Sequence, residues 1–174
     1  MKIAVYLGSF EGHDPLYKDT VKKLGEWIGN NDHTLVYGGS SIGLMGEVAR
    51  AALSKGGRVI GVEPSFFIEE YDQEPGVELI PTEDIAIRRT KMIELSDAFI
   101  AFPGGIGTLD EISEIIALIN LDLLDSPCII FNLNGYYDHL KLLFEKMTSE
   151  GFLPQKCLDK ICFAESIEDI ENFL

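Results

Sequence analysis

Short apolar runs rich in β-branched residues alternate along this chain with longer stretches in which apolar residues return every three to four positions. The first kind suits strands buried on both faces and the second suits amphipathic helices. Their alternation predicts an α/β fold, Rossmann-like and doubly wound, with a mostly parallel sheet and helices on both faces. Strands are expected at Ile3–Leu7, Thr34–Tyr37, Arg58–Val62, Val77–Ile80, Asp97–Phe102 and Cys128–Phe131, with a weaker one at Lys160–Phe163. Helices are expected at Pro15–Gly29, Ile42–Ser54, Glu83–Leu95, Thr108–Leu121, Tyr137–Glu150 and Ile167–Phe173. Local chemistry agrees with several of these ends. Pro15 suits a first helical turn, Gly56-Gly57 a stop, and Ser166 a cap with Asp169 three residues on. With 174 residues, 46% of them hydrophobic, and no low-complexity stretch or linker, the chain reads as a single domain, residues 1–174.

In a sheet of this kind ligands sit beyond the carboxyl ends of the strands, where connections diverge to opposite faces. Three loops rich in small residues fall there: Gly8-Ser9-Phe10-Glu11-Gly12, Gly38-Gly39-Ser40-Ser41-Ile42-Gly43, and Pro103-Gly104-Gly105-Ile106-Gly107-Thr108. The last is the most informative, because the apolar run Ala98–Phe102 feeds a glycine turn that opens onto a helix. Glycines let backbone N–H groups crowd around an anion, and the free N–H groups of a helix start favour negative charge. Thr108 adds a hydroxyl. Glu111 follows on the same helical face, about 4.5 Å along the axis. A carboxylate there repels phosphate, so it should act on another part of the ligand. A purely structural reading makes Thr108 an N-cap and Glu111 its capping-box acid.

Charge narrows the range of partners. Fourteen basic against twenty-nine acidic residues give a net charge of −15, which argues against nucleic acid or an anionic membrane. Between Val59 and Leu140 the lysines and arginines are Arg88, Arg89 and Lys91, clustered amid carboxylates. That cluster is either an anion or base-edge contact, or it pairs with Glu83, Asp84 and Glu94 at helical spacing. No segment approaches the roughly 20 apolar residues of a membrane span, and the apolar start is too short for a signal peptide. A cytoplasmic protein is expected. Cys128, Cys157 and Cys162 lack metal-ligand spacing and read as reduced, packed thiols, with no metal site.

Tyr37-Gly38-Gly39 with Gly43-Leu44-Met45-Gly46, then Arg88-Arg89 with Met92, then Pro103-Gly104-Gly105 with Gly107-Thr108 and Glu111, recur in the order and spacing of a known family. The chain resembles the Lonely guy (LOG) family, cytokinin riboside 5′-monophosphate phosphoribohydrolases once described as "possible lysine decarboxylase". The likeness runs from Gly8 through Asn134-Gly135-Tyr136-Tyr137-Asp138 to Gly151-Phe152. It implies a Rossmann-like fold, a homodimer, and hydrolysis of the N-glycosidic bond of a nucleoside 5′-monophosphate to free base and ribose 5-phosphate. The chain departs from the family at Arg89, where Lys is usual, at Ile85, where Met is usual, at Ser40, where a third glycine is common, and at Ala117-Leu118-Ile119-Asn120, where many members carry Thr-Trp-x-Gln. The last change bears on base preference if that helix lines the base pocket or the dimer contact.

Breaking a C1′–N bond builds positive charge on the ribose while the base leaves with electrons. Glu111 is the candidate for the sugar, stabilising the oxocarbenium-like transition state and orienting water. Arg88 is the candidate for charge on the departing base, through hydrogen bonding rather than proton donation. Phosphate and substrate contacts are expected from Gly104, Gly105, Gly107 and Thr108, with Gly38, Gly39, Ser9 and Ser40. Arg89 points roughly 100° away from Arg88 and carries a weaker expectation. Asp110 is expected to be solvated. The substrate is expected to be AMP or a cytokinin-type N-substituted AMP, with no cofactor.

Other readings compete. Gly39-Ser40-Ser41-Ile42-Gly43 matches the G-x-S-x-G nucleophile elbow of serine esterases, for which His139 is the one downstream histidine. A dinucleotide enzyme lacks its G-x-G-x-x-G. A pyridoxal phosphate decarboxylase would need a Schiff-base lysine, for which Lys91 alone is near. A non-catalytic nucleotide-binding or carrier module would use the same loops without reaction, and Tyr136-Tyr137 could cover its ligand.

Overall fold

A computed structural model describes residues 1–70 and 73–174. Seven strands form one sheet: β1 (Lys2–Tyr6), β2 (Thr34–Tyr37), β3 (Arg58–Pro64), β4 (Glu78–Thr82), β5 (Ala98–Ala101), β6 (Cys128–Phe131) and β7 (Ile161–Ala164). Their order is β4-β3-β2-β1-β5-β6-β7, and every neighbouring pair is parallel. The chain therefore builds outward from β1 to one edge, then returns to β5 on the other side of β1. The C-terminal ends of β1 and β5 mark the switch point, where loops diverge and leave a crevice.

Strand alternation divides the core. On β1 and the residue after it, Ile3, Val5 and Leu7 join one buried cluster while Ala4 and Tyr6 join the other. β5 behaves likewise, with Ile100 on the first face and Phe99 and Ala101 on the second. The first face is covered by α1 (Pro15–Asn30), α2 (Gly43–Ser54) and α8 (Ile167–Phe173), and the second by α4 (Ile85–Leu95), α5 (Ile106–Asn120) and α6 (Asp138–Ser149). Trp27 packs in the first cluster. α1 and α2 approach closely because Gly25 and Gly29 have no Cβ. One added at Gly25 would stand 2.5 Å from the Val48 carbonyl oxygen, and one at Gly29 2.6 Å from that of Ala52.

The helix ends are made by local chemistry. Asp14 accepts from the Leu16 N–H ahead of Pro15, Asp84 accepts from the Ile87 N–H, and Ser166 with Asp169 forms a reciprocal capping box. The expected Thr108 start is corrected: α5 begins at Ile106 with Gly105 as N-cap, and no side chain caps it. Thr108 and Glu111 therefore lie inside the helix with their side chains free for other work. Two short helices went unexpected, α3 (Ser65–Glu70) and α7 (Gln155–Leu158). Each is too short to show a helical period, and α3 buries none of its residues. The three cysteines are free thiols, with Cys128 and Cys157 buried. No helix of the described residues is long and apolar enough to cross a membrane.

Candidate active site at the switch point

The crevice is a cavity of about 800 Å³, within the range of small-molecule sites. All three small-residue loops reach it: Gly8, Ser9 and Phe10 from β1, Gly38, Ser40 and Ile42 from β2, and Pro103 to Thr108 from β5. Gly8 and Gly104 nearly touch, and the Gly8 N–H donates to the Pro103 carbonyl at 3.3 Å. A Cβ on Gly104 would fall 2.1 Å from Thr108 Oγ1 and 2.8 Å from the Gly8 nitrogen. Only glycine allows this turn to close over the start of α5. Gly105 and Gly107 have open space where a Cβ would be, so their backbone is accessible from the cavity side. The first turn of α5 thus presents backbone N–H groups and the positive end of the helix dipole to the crevice, with the buried Thr108 hydroxyl beside them.

Glu111 and Arg88 meet at the cavity wall. Glu111 is 8% exposed, and its Oε1 accepts from Arg88 Nη1 at 2.8 Å. Arg88 reaches across from α4; its Nε donates to the Val62 carbonyl at the end of β3 at 3.0 Å, and its Nη2 lies where a Gly38 Cβ would stand, 2.2 Å away. Two hydrogen bonds fix the guanidinium plane, and Gly38 is the residue that leaves room for it. Burial pushes the Glu111 carboxyl above its ordinary value, and Arg88 opposes the shift without cancelling it. Tyr6, stacked on Phe99 beneath the site, is also pushed up by burial and by the Glu111 charge. The arrangement is a desolvated carboxylate oriented by one arginine, next to a helix start whose N–H groups no side chain caps. That combination can hold a phosphorylated ligand and place a base against its sugar.

The remaining expected residues are sorted by position. Arg89 lies off the cavity wall, held by Glu114 at 2.8 Å and Asp110 at 2.6 Å. Lys91 pairs with Glu94 at 3.1 Å, so no described lysine faces the cavity to form a Schiff base. Asp110 is exposed, as expected, but carries an ion pair. Gly39 does not line the cavity; it adopts φ of 90° and supports the side chain of Glu63. Ser41 and His139 do not line it either, and His139 is exposed on α6, so the esterase pattern assembles no site among the described residues. Tyr136 does line it, and its hydroxyl donates to the Gly104 carbonyl at 2.6 Å. Tyr137 instead is buried, bonded to the Phe102 carbonyl at 2.9 Å. Ala117 to Asn120 stand away from the cavity, with Ile119 in the core, so they do not line a base pocket. Ile85 does line it.

Glu63 was missed. It is the penultimate residue of β3, is 3% exposed, and lines the cavity. Its signal was present in Val59-Ile60-Gly61-Val62-Glu63-Pro64, where a carboxylate closes an apolar run at the sheet edge that binds ligands.

Comparison with known proteins gives the family. The family model described as "Possible lysine decarboxylase" matches residues 45–173. A cytokinin riboside 5′-monophosphate phosphoribohydrolase of Arabidopsis thaliana is 38% identical over 170 residues, covering 97% of this chain and 80% of the relative. That of Rhodococcoides fascians is 37% identical over 168 residues, covering 95% and 85%. A probable one of Oryza sativa subsp. japonica is 40% identical over 154 residues, covering 88% and 68%. Among solved structures, the molybdenum cofactor binding protein of Rippkaea orientalis superposes with a TM-score of 0.74 at 23% identity, covering 98% of this chain and 93% of that one. The Moco carrier protein of Chlamydomonas reinhardtii gives 0.72 at 20%, covering 98% and 93%. At that identity the likeness to the carriers shows the fold alone. From the glycine turn before α5, its Glu111 and the relatives that match nearly end to end, the chain belongs to the Lonely guy (LOG) family, whose model carries the description "possible lysine decarboxylase".

Proposed function

We propose that this protein hydrolyses the N-glycosidic bond of a nucleoside 5′-monophosphate, AMP or an N-substituted AMP of the cytokinin type, to free base and ribose 5-phosphate. The observation that carries this reading is the buried Glu111–Arg88 pair at 2.8 Å, one helical turn beyond the glycine start of α5. The relatives at 36–40% identity named for this reaction support it.

The 5′-phosphate rests on the first-turn N–H groups of Gly105 and Gly107, with Thr108 and the backbone about Gly104, and Ser9 and Ser40 bound the same crevice. The ribose then lies over Glu111. As the C1′–N bond lengthens, positive charge grows on the sugar ring, and a carboxylate fixed in a dry site stabilises it more than water would. The raised pKa of Glu111 makes it a better base toward the attacking water than a solvated glutamate. Electrons from the broken bond pass to the base. Arg88, held by the Val62 carbonyl, answers that charge through its N–H groups. Water supplies the hydroxyl at C1′ and the proton that leaves with the base.

The test is incubation of the protein with AMP, isopentenyl-AMP, CMP, GMP and UMP, followed by chromatography of free base. Glu111→Gln is expected to lower kcat by about 100- to 10,000-fold while nucleotide affinity stays within a few-fold. Binding of nucleotide with no base released from any of them would instead make the chain a carrier module. The protein further fits a homodimer, as the family resemblance implies, and a place in the cytoplasm. Ile87 and Leu109 on α4 and α5 are exposed apolar side chains available to a second copy, and three unpaired thiols suit a reducing compartment. Its charge of −15 supports neither nucleic acid nor an anionic membrane as partner.

A further inference from the structure

We infer that Glu63 is a specificity-determining residue: its unpaired carboxylate oxygen Oε2 accepts an N–H from the base edge of the bound nucleotide, so the site selects bases that carry an exocyclic amino group. The inference rests on the nucleotide reading of the cavity.

Glu63 is more than nine-tenths buried, yet its Oε2 has no hydrogen-bond partner. A buried carboxylate oxygen left alone is costly, and the natural remedy is a donor that arrives with the ligand. No described cation pairs with it. Arg88, the basic residue nearest in charge effect, spends its Nε on Val62 and its Nη1 on Glu111. Gln73 donates a side-chain hydrogen bond to the carboxylate, and Oε2 stays buried without a partner. Gly39 makes the space: a Cβ there would stand 2.7 Å from Glu63 Cβ and 3.1 Å from Oε2. Burial raises the Glu63 pKa, as a desolvated acceptor awaiting a donor should show.

Position then says which part of the ligand it meets. The phosphate end of the cavity lies at β5, and Glu63 lies at β3, with β1 and β2 between. Three interstrand spacings make about 14 Å, close to the reach of a nucleoside monophosphate from phosphate to base edge. Arg88 bridges β3 to Glu111, so the order along the crevice is glycine turn, Glu111, Arg88, Glu63. Met45, Phe67 and Ile85 line the cavity and supply apolar surface for a ring. A carboxylate beyond them, accepting rather than donating, matches the 6-amino group of adenine or the 4-amino group of cytosine.

The test compares AMP with purine riboside 5′-monophosphate, which keeps the ring and lacks the amino group. Wild-type kcat/KM should favour AMP by roughly 10- to 100-fold. Glu63→Leu should bring the two substrates to near parity, chiefly by loss on AMP, while Glu63→Gln, which keeps a carbonyl acceptor, retains much of the preference. Dissociation constants for both nucleotides, taken in Glu111→Gln where turnover is blocked, should show the same ratio. A wild-type ratio near one overturns the inference without any variant. So does a preference that Glu63→Leu leaves intact, and in that case base release abolished in Glu111→Gln keeps the hydrolase reading standing. Binding without any base release removes the hydrolase reading, and the ratio of dissociation constants then decides the role of Glu63. No binding of either nucleotide removes both.

Discussion

Two carboxylates share this crevice, and their surroundings give them different work. Glu111 has Arg88 at 2.8 Å on its Oε1; Glu63 has no arginine bonded to it and leaves its Oε2 without a partner. Both are pushed upward from 4.5 chiefly by burial. For Glu111 as base the ionised form is the active one, so kcat/KM should fall as pH drops through its titration, with that acid limb displaced above 4.5. Arg88 holds the carboxyl down, so the residual activity of Arg88→Ala should show the limb moved further up in pH. A pH–rate profile of both proteins checks the sign, and a limb unmoved by loss of Arg88 would detach the titration from Glu111.

Elements matter here chiefly through where they begin. α5 starts at Ile106 rather than Thr108, which turns a capping threonine into a cavity hydroxyl and leaves the first-turn N–H groups uncapped by any side chain. Gly104→Ala would drive a methyl group against Thr108 Oγ1 and the Gly8 nitrogen, at 2.1 and 2.8 Å. Nucleotide affinity should fall by about tenfold or more with helix content by circular dichroism unchanged, since the contact lies in the binding turn and not in the core. The pairing of α1 with α2 predicts the reverse outcome. Gly25→Ala meets the Val48 carbonyl at 2.5 Å, with backbone on both sides and nothing flexible to yield. Stability in urea should drop by about 1–3 kcal/mol, while the KM of whatever molecules remain folded should be little altered.

Across the whole molecule, the strand order decides what meets what. Because β1 and β5 are neighbours while β2 and β3 run out on the other side of β1, loops separated by some thirty to a hundred residues end in one crevice. An acidic protein that takes an anionic substrate must concentrate its attraction locally, and the start of α5 with Arg88 does so against a net charge of −15. Association is the remaining property at this level. If two copies pair through the exposed apolar positions of α4 and α5, sedimentation should report about twice the 19.3 kDa chain mass, and a species at the chain mass would reject the dimer.

The strands and the long helices were legible because their period and caps are local. Ile3 to Leu7, Ala98 to Phe102, Asp14-Pro15 and Ser166 with Asp169 carry their structure in a few adjacent residues. The glycine turn and Glu111 were legible for a similar reason, since one helical turn joins them. Arg88 was visible as part of a basic cluster, but helical spacing alone left it an ion pair with a neighbour or a ligand contact. Only packing showed that it crosses from α4 to Val62 and Glu111, whereas Arg89 turns to Asp110 and Glu114. Ala117 to Asn120 moved the other way, from a suspected base pocket to a stretch off the cavity wall. Glu63 depended on tertiary structure most of all. Whether a carboxylate at a strand end is solvated or buried with an unpaired oxygen is set by what packs over it, here Gly39 and the cavity rim, and no local period records that.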